Sequence, residues 1–377
     1  MDLAIILTYR CNSRCSMCHI WQNPTLPEHE ITLATLERIP LGIDYLNLTG
    51  GEPTLREDLG DIVDLLQPRA RTLEISSNGT HAERLEPIIR KHPDVKIRFS
   101  LDGIRETNDR IRGEKNGYDR KVQGLRRLKE LGGCDLGFAV TIQDDNAHEL
   151  AELFNLAHGN GFELATSSLH NGYQFHKNDN VPYNRGRVAR HIEGLITEML
   201  RTNSMKNWFR AYLNLGLMRK ILGQERLLPC TAATGFVFID PWSDVYACNV
   251  RPDLKLGNLA RQTWEEILAG SAAAEIRPRV QGCRQNCWMV GSAKTAMRNP
   301  RYPQLPRWAP LRWVLMNKAR ITLGMKIPFD RYVDYRAALR ETAAPAQSSF
   351  LEQSGIKRTL HAADAPRYER FGEFFNT

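Results

Sequence analysis

The 377-residue sequence contains no apolar run of the roughly 18 residues that a bilayer-spanning helix needs. No signal peptide is expected, because strand-like Leu3–Leu7 begins almost at Met1. The expected location is therefore the cytoplasm. No internal repeat is present beyond a βα alternation. There is no excess charge outside one segment: residues 294–340 hold eleven Lys or Arg against two Asp, a local net of +9 in a chain of +8. A nucleic-acid footprint over the whole surface is excluded by that distribution. With 42% hydrophobic and 25% charged residues the chain is globular and long enough for two domains and an appendage. A core of that size needs no disulfide staple.

There are eight cysteines, and seven fall into two groups: Cys11, Cys15 and Cys18, then Cys230, Cys248, Cys283 and Cys287. In a reducing compartment, grouped cysteines are metal ligands before they are disulfides. The eighth, Cys134, follows Gly132-Gly133 just before a strand and is expected to be a buried structural thiol.

Six apolar runs read as strands: Leu3–Leu7, Tyr45–Leu48, Thr72–Ile75, Val95–Phe99, Leu136–Ile142 and Phe162–Thr166. Helix-period stretches lie between them, at Leu55–Leu66, Ala82–Arg90, Arg120–Leu131 and Ala147–Ala157. Strand–helix repetition of this kind predicts an α/β fold with a parallel sheet, and six units fit a partial (β/α)6 TIM-like barrel of about 200 residues. Chemistry then belongs at the C-terminal ends of the strands. Arg187–Leu222 reads as a long helical bridge. A β-hairpin follows, Phe236–Asp240 and Val245–Cys248 around Pro-Trp-Ser-Asp, then a short helix at Thr263–Leu268. The expected domains are residues 1–215 for the barrel, 216–298 for a small second unit, and 299–377 for a basic C-terminal tail. Within that tail Trp308–Leu323 mixes apolar and basic residues at helical spacing. It fits either a peripheral membrane contact or a helix packed on the barrel, and packing is slightly preferred. Ala343–Ser349 reads as a flexible linker.

The first group is spaced C-x3-C-x2-C on one loop after the first strand. Three thiolates are one short of a structural zinc site, but they can hold a 4Fe–4S cluster with one iron left without a protein ligand. His19 adjoins Cys18 and reads as a loop residue. In this spacing and position the chain resembles the radical S-adenosylmethionine superfamily. The residue before the third cysteine, commonly aromatic there, is Met17. Thr49-Gly50-Gly51-Glu52-Pro53, after the second strand, looks like that family's Gly-Gly-Glu motif. Its glycines permit close backbone approach, and its carboxylate can accept from a ligand ammonium. Asn78 in Ser76-Ser77-Asn78-Gly79, then Ser100 and Asp102, then Arg112 in Asp109–Gly113, and finally Thr141 with Asn146 follow in the family's order. The resemblance makes all of these cosubstrate-facing candidates. It also implies reductive cleavage of S-adenosylmethionine to a 5′-deoxyadenosyl radical that abstracts a substrate hydrogen.

The second group, with Gly257-Asn258-Leu259 and Trp264–Ile267, resembles the auxiliary-cluster region of the SPASM/twitch subfamily. Four thiolates fill a second 4Fe–4S cluster, although a zinc ribbon has the same donors. Where that subfamily has glycine in the hairpin turn, this chain has Ser243, so the turn is expected to differ. The implied partners are an external electron donor such as flavodoxin or ferredoxin, and a substrate. With the barrel starting at residue 3 and no leader-binding domain before it, a carbohydrate, aminocyclitol or lipid-linked small molecule is expected, dehydrogenated or epimerised. Peptide maturation is the enzymatic alternative. A non-catalytic zinc or cluster module is the alternative of another class. His170, Asn171, Tyr173 and His176, after the sixth strand, are expected near a substrate pocket.

Overall fold

The computed structural model describes residues 1–177, 179–298 and 308–336. Its first six strands are β1 (Asp2–Ile6), β2 (Tyr45–Thr49), β3 (Leu73–Ser77), β4 (Lys96–Ser100), β5 (Leu136–Ile142) and β6 (Glu163–Ser168). All pair in parallel with their sequence neighbours. Each lies within one or two residues of its sequence expectation. Short runs rich in Leu, Ile, Val and Phe, buried on both faces, favour such strands: Leu3, Ile5, Leu46, Leu48, Ile75, Ile97, Phe99 and Phe138 are all fully enclosed.

The connecting helices are α1 (Leu33–Leu36), α2 (Leu59–Leu66), α3 (Glu86–Lys91), α4 (Glu106–Arg112), α5 (Gly117–Glu130) and α6 (Leu150–Gly159). The expected bridge is a helical hairpin, α7 (Arg185–Arg201) and α8 (Met205–Ile221). It breaks at Thr202–Ser204 because Ser204 caps α8, accepting from the Asn207 amide.

The second unit is joined to the barrel more closely than the sequence indicated. β7 (Phe236–Ile239) pairs in parallel with β1, Asp2 opposite Phe236 through Ile5 opposite Ile239. β8 (Asp244–Tyr246) and β9 (Lys255–Asn258) continue antiparallel, so one nine-stranded open sheet runs β6-β5-β4-β3-β2-β1-β7-β8-β9. Helix α9 (Trp264–Ala269) starts at a capping box between Thr263 and Glu266. Two helices not expected from the sequence follow, α10 (Ser271–Gln281) and α11 (Val290–Arg298). The hairpin turn keeps left-handed geometry despite lacking glycine: Ser243 sits at φ +71°. Cys134 is exposed, not buried; its thiol donates to the Pro93 carbonyl at 2.9 Å, at the strand end away from the cysteine loop.

Helix α12 (Ala309–Thr322) lies across α7 and α8. Trp313 packs edge-on against Tyr212 and Tyr332, with centroids 5.5 and 5.9 Å apart. Lys318 donates to the carbonyls of Leu200 and Thr202. The packed alternative for this helix therefore holds for one of its faces. The 343–349 linker and most of the expected tail lie outside the described residues. Among the described residues no helix is long and apolar enough to cross a membrane.

Candidate active site

The cysteine loop leaves β1 at its C-terminal end and is fixed from below by one carboxylate. Glu30 is buried and accepts a bidentate pair from Arg10, at 2.9 and 2.8 Å. It also accepts from the Thr8 hydroxyl and, at 2.6 Å, from the Thr25 hydroxyl. Arg56 donates to the Leu7 and Ile31 carbonyls while Asp58 neutralises it. A satisfied network of this kind rigidifies what stands on it.

Backbone holds the loop on either side. The Gly51 amide donates to Thr8 O at 2.7 Å and the Glu52 amide to Arg10 O at 2.8 Å. A Cβ on Gly51 would stand 2.2 Å from Arg10 O, and one on Gly50 2.6 Å from Thr8 O, so only glycine fits either position. The close approach expected of these glycines is thus made first to the protein's own cysteine loop. Opposite, Arg14 and Ser16 donate to the carbonyls of Arg112 and Ile111 at the end of α4.

Cys11, Cys15 and Cys18 line a cavity of about 150 Å³ at the mouths of the strands. Six of the expected cosubstrate-facing residues share its wall: Gly50, Gly51, Asn78, Ser100, Arg112 and Thr141. Met17 is there too, with Leu169, His170 and Phe175 after β6. Burial pushes the Cys11 and Cys18 thiols up to about 12, and raises Cys15 as well. They are protonated until a metal displaces the proton.

Glu52, Pro53 and Asp102 stand behind this wall. The Glu52 carboxylate, fully enclosed, accepts from the Thr54 amide and hydroxyl (3.0 and 2.7 Å), the Ser77 hydroxyl (2.9 Å) and the Asn78 amide (2.5 Å). It ties the end of β2 to the end of β3. Asp102 accepts from Arg112 Nη1 and from the Thr141 amide, both at 2.7 Å, and Asn146 donates to the carbonyls of Asp102 and Thr141. Burial disfavours the Arg112 charge, but the facing Cys15, Asp102 and Glu114 outweigh it and hold the guanidinium ionised. Glu114 also takes the Ser13 hydroxyl at 2.6 Å and the enclosed Lys121 ammonium. Glu30 and Glu114 gave no local signal for these roles, since Arg10 and Arg56 lie 20 and 26 residues from Glu30 and Ser13 lies 101 residues from Glu114.

His170 presents its ring to the cavity. Nδ1 faces the Ser168 carbonyl at 3.0 Å, which places the proton there. Nε2 is buried without a protein partner, and burial pulls the imidazole down to about 3. The ring is therefore neutral, with an unpartnered buried acceptor at the cavity wall. Tyr173 and His176 pack instead on Tyr246 and Tyr9. Asn171 exchanges hydrogen bonds with the Asn180 backbone.

Cys230, Cys248, Cys283 and Cys287 all line a second, smaller cavity together with Phe236 and Met289. Burial pushes Cys248 up to about 12 and raises Cys287. Among the described residues no three His, Cys, Asp or Glu side chains come close enough to share one metal ion; in both groups the thiols surround a space. Between the two sites lies an apolar cluster of Ile6, Tyr9, Ile20, Phe236, Phe238 and Tyr246, packed on Cys11 and Cys18 at one end.

Three sulfurs line a cavity at the mouth of a partial barrel and four more line a second beside the same sheet, the donor sets of an iron–sulfur enzyme. Residues 5–157 match the model of the radical SAM superfamily, and residues 230–288 match an iron–sulfur cluster-binding domain (SPASM), so the chain carries a radical SAM domain followed by a SPASM domain. These domains bind a 4Fe–4S cluster with S-adenosylmethionine, and auxiliary iron–sulfur, respectively, and the donor sets in both cavities fit those groups. The zinc-ribbon reading of the second group is set aside accordingly.

Among similar proteins, Fe-coproporphyrin III synthase of Methanosarcina barkeri is 32% identical over 40% of this chain and 39% of its own. Pre-heme d1 synthase of Dinoroseobacter shibae is 27% identical over 74% and 76%, and mycofactocin maturase MftC of Mycolicibacterium smegmatis is 28% identical over 64% and 62%. This chain thus spans between 39% and 76% of these relatives' lengths. The crystal structure of Streptococcus suis SuiB shares the fold with TM-score 0.56 and 16% identity, over 74% of this chain and 67% of that one.

Proposed function

We propose that this chain cleaves S-adenosylmethionine at the first cavity and uses the resulting radical to take a hydrogen atom from a peptide. The observation that carries the reaction class is Cys11, Cys15 and Cys18 sharing one cavity with Gly50, Gly51, Asn78, Ser100, Arg112 and Thr141. When bound, the cluster supplies the electron for reductive cleavage at an iron that has no protein ligand. The chain's own residues do the rest. Arg112, held ionised by Asp102 and Glu114, offers a guanidinium to a carboxylate. Ser100, Thr141 and Asn78 offer hydroxyl and amide groups to ribose. The glycine pair holds the loop closed around the thiols.

A peptide is favoured over the carbohydrate-type substrate expected from the sequence. MftC is a maturase, and a structure of SuiB is bound to precursor peptide SuiA. A tetrapyrrole is the competing class, since pre-heme d1 synthase aligns over most of the chain. A flavodoxin or ferredoxin supplies the electron, and the second cluster relays rather than binds substrate, having all four thiolates. Anaerobically loaded protein should contain about eight irons with matching sulfide, and form 5′-deoxyadenosine when given dithionite and S-adenosylmethionine. Candidate peptides should accelerate that formation. A loaded first site that forms none sinks the reaction class; stimulation by a tetrapyrrole and by no peptide moves the substrate to that class.

The outward face of α12 supports a membrane contact as well. Trp308, Leu315, Met316 and Leu323, 39–74% exposed, fall at helical spacing on one side with Arg312, opposite the packed Trp313 and Val314. Apolar anchors flanked by the +9 segment suit an anionic headgroup layer. Pelleting with anionic but not neutral vesicles, lost in Leu315→Ser/Leu323→Ser, is the expected result; equal pelleting by the double variant ends the reading.

A further inference from the structure

The two cavities differ in how their cations are balanced. At the first, Arg112 beside Cys15 is matched by Asp102 and Glu114, and Lys121 by Glu114. At the second, Arg226 reaches over Cys287: Nη1 donates to its Sγ at 3.4 Å and to its carbonyl at 2.5 Å. The rest of the guanidinium is pinned. Nε donates to Leu228 O at 3.1 Å, Nη2 to the Ser292 hydroxyl at 3.3 Å, and the fork lies 5.3 Å from the Trp288 ring centroid. No carboxylate among the described residues pairs with it; sulfur is its anionic neighbour. Arg251, which contacts Cys283, is by contrast clamped by Asp253 through both carboxylate oxygens.

We propose that Arg226 is the residue that raises the reduction potential of the second iron–sulfur site, making that site the electron acceptor of the pair. This rests on the iron–sulfur reading of Cys230, Cys248, Cys283 and Cys287. Reduction adds one electron and changes no ligand bond, so the site becomes more negative by one charge. A fixed guanidinium within hydrogen-bonding distance of a ligand sulfur stabilises that added charge, both through the N–H···S bond and through its uncompensated field. Donors that bond a ligand sulfur without touching the metal tune a cluster in this way while leaving its ligands unchanged. The electron to be accepted is the one a substrate radical gives up, with a proton, when hydrogen abstraction ends in net two-electron oxidation. Arg226 does this only because its geometry is over-determined: three hydrogen bonds to oxygen and a ring hold it whether or not the sulfur is charged.

The test is a redox titration, followed by electron paramagnetic resonance, of the full chain with Cys11, Cys15 and Cys18 changed to Ala, so that only the second site is read. Arg226→Gln is expected to lower the reduced-to-oxidised ratio at a given potential at least tenfold, about 59 mV for one electron. Arg226→Lys, keeping the charge and losing the fork, is expected to fall between. Iron and sulfide should stay at about four each per chain. A midpoint unchanged in Arg226→Gln with that content intact overturns the proposal. Loss of the cluster in both variants also overturns it, by making Arg226 a residue of assembly instead of tuning. Absence of iron and sulfide from the parent strikes the iron–sulfur reading itself, a distinguishable failure.

Discussion

Glu52→Gln separates a residue that touches the cosubstrate from one that builds its wall. The carboxylate is fully enclosed and takes four donors, three on Oε1 and the Asn78 amide on Oε2. A glutamine can keep its oxygen only on one side. With the oxygen toward Thr54 and Ser77, its NH2 faces the Asn78 N–H, donor against donor; the flipped amide offends three donors and is worse. The least damaging arrangement loses one charge-assisted bond, worth about 1.5–3 kcal/mol, and strands a buried N–H at a further cost of about 1–3 kcal/mol. Allowing for relaxation, a loss of about 2–4 kcal/mol follows, and for a chain of this length a Tm drop of roughly 3–5 °C. Cosubstrate affinity falls with it, because Asn78 and the Gly50–Gly51 turn move together. The assay is anaerobic thermal unfolding by circular dichroism beside S-adenosylmethionine binding to the loaded protein, with Ser77→Ala as a one-donor control costing about 1 kcal/mol. Lost affinity at an unchanged Tm would refute the argument and put Glu52 in direct contact with the cosubstrate.

Gly51→Ala should force the β2 loop off Arg10 O and open the first site, so that iron per chain falls from about eight to about four while the second site stays loaded; full iron content in this variant contradicts the close-packing argument. Ser243→Gly should stabilise by about 1 kcal/mol in thermal unfolding, since a side chain at φ +71° carries left-handed strain that glycine lacks. Lys294 lies 3.1 Å from the Tyr45 ring centroid, and burial pulls its ammonium down to about 7, with Glu74 and Asp2 opposing and Arg298 and Lys96 assisting. Between pH 7 and its ordinary value near 10.5 the unfolded chain holds the extra proton, so stability attributable to Lys294 rises with pH across that window. Lys294→Met should raise Tm at pH 6 and flatten that rise in Tm-versus-pH measurements; an unchanged slope refutes the assignment.

What could be read from the sequence was what local pattern encodes. Each barrel strand is a short apolar run ended by a turn, so all six were found nearly to the residue, and thiol spacing is a local signal too. Glu30 and Glu114 were invisible for the opposite reason. Ser13 meets Glu114 across 101 residues, and a charged side chain on a helix or loop looks the same in sequence whether it is solvated or locked beneath a cysteine. Cys134 was misjudged because two glycines and an adjoining strand say nothing of which side faces water. Helix α10, with Pro278 inside it, was missed where its sequence lacks a strong apolar period.

The largest thing missed was the pairing of β1 with β7, whose partners are 234 positions apart and carry no matched motif. That pairing decides how the two cysteine groups relate. β1 delivers Cys11 from its C-terminal end and takes β7 along its edge, and β7 in turn presents Phe236 to the second cavity. The path between the sites is therefore carried by one strand pair and the aromatic cluster on its face, Tyr9, Phe238 and Tyr246. A flexible linker would let the separation drift; hydrogen-bonded neighbouring strands, about 4.8 Å apart, hold it constant. Under the proposed relay between the two sites, that constancy makes the shared sheet part of the chemistry as well as of the fold.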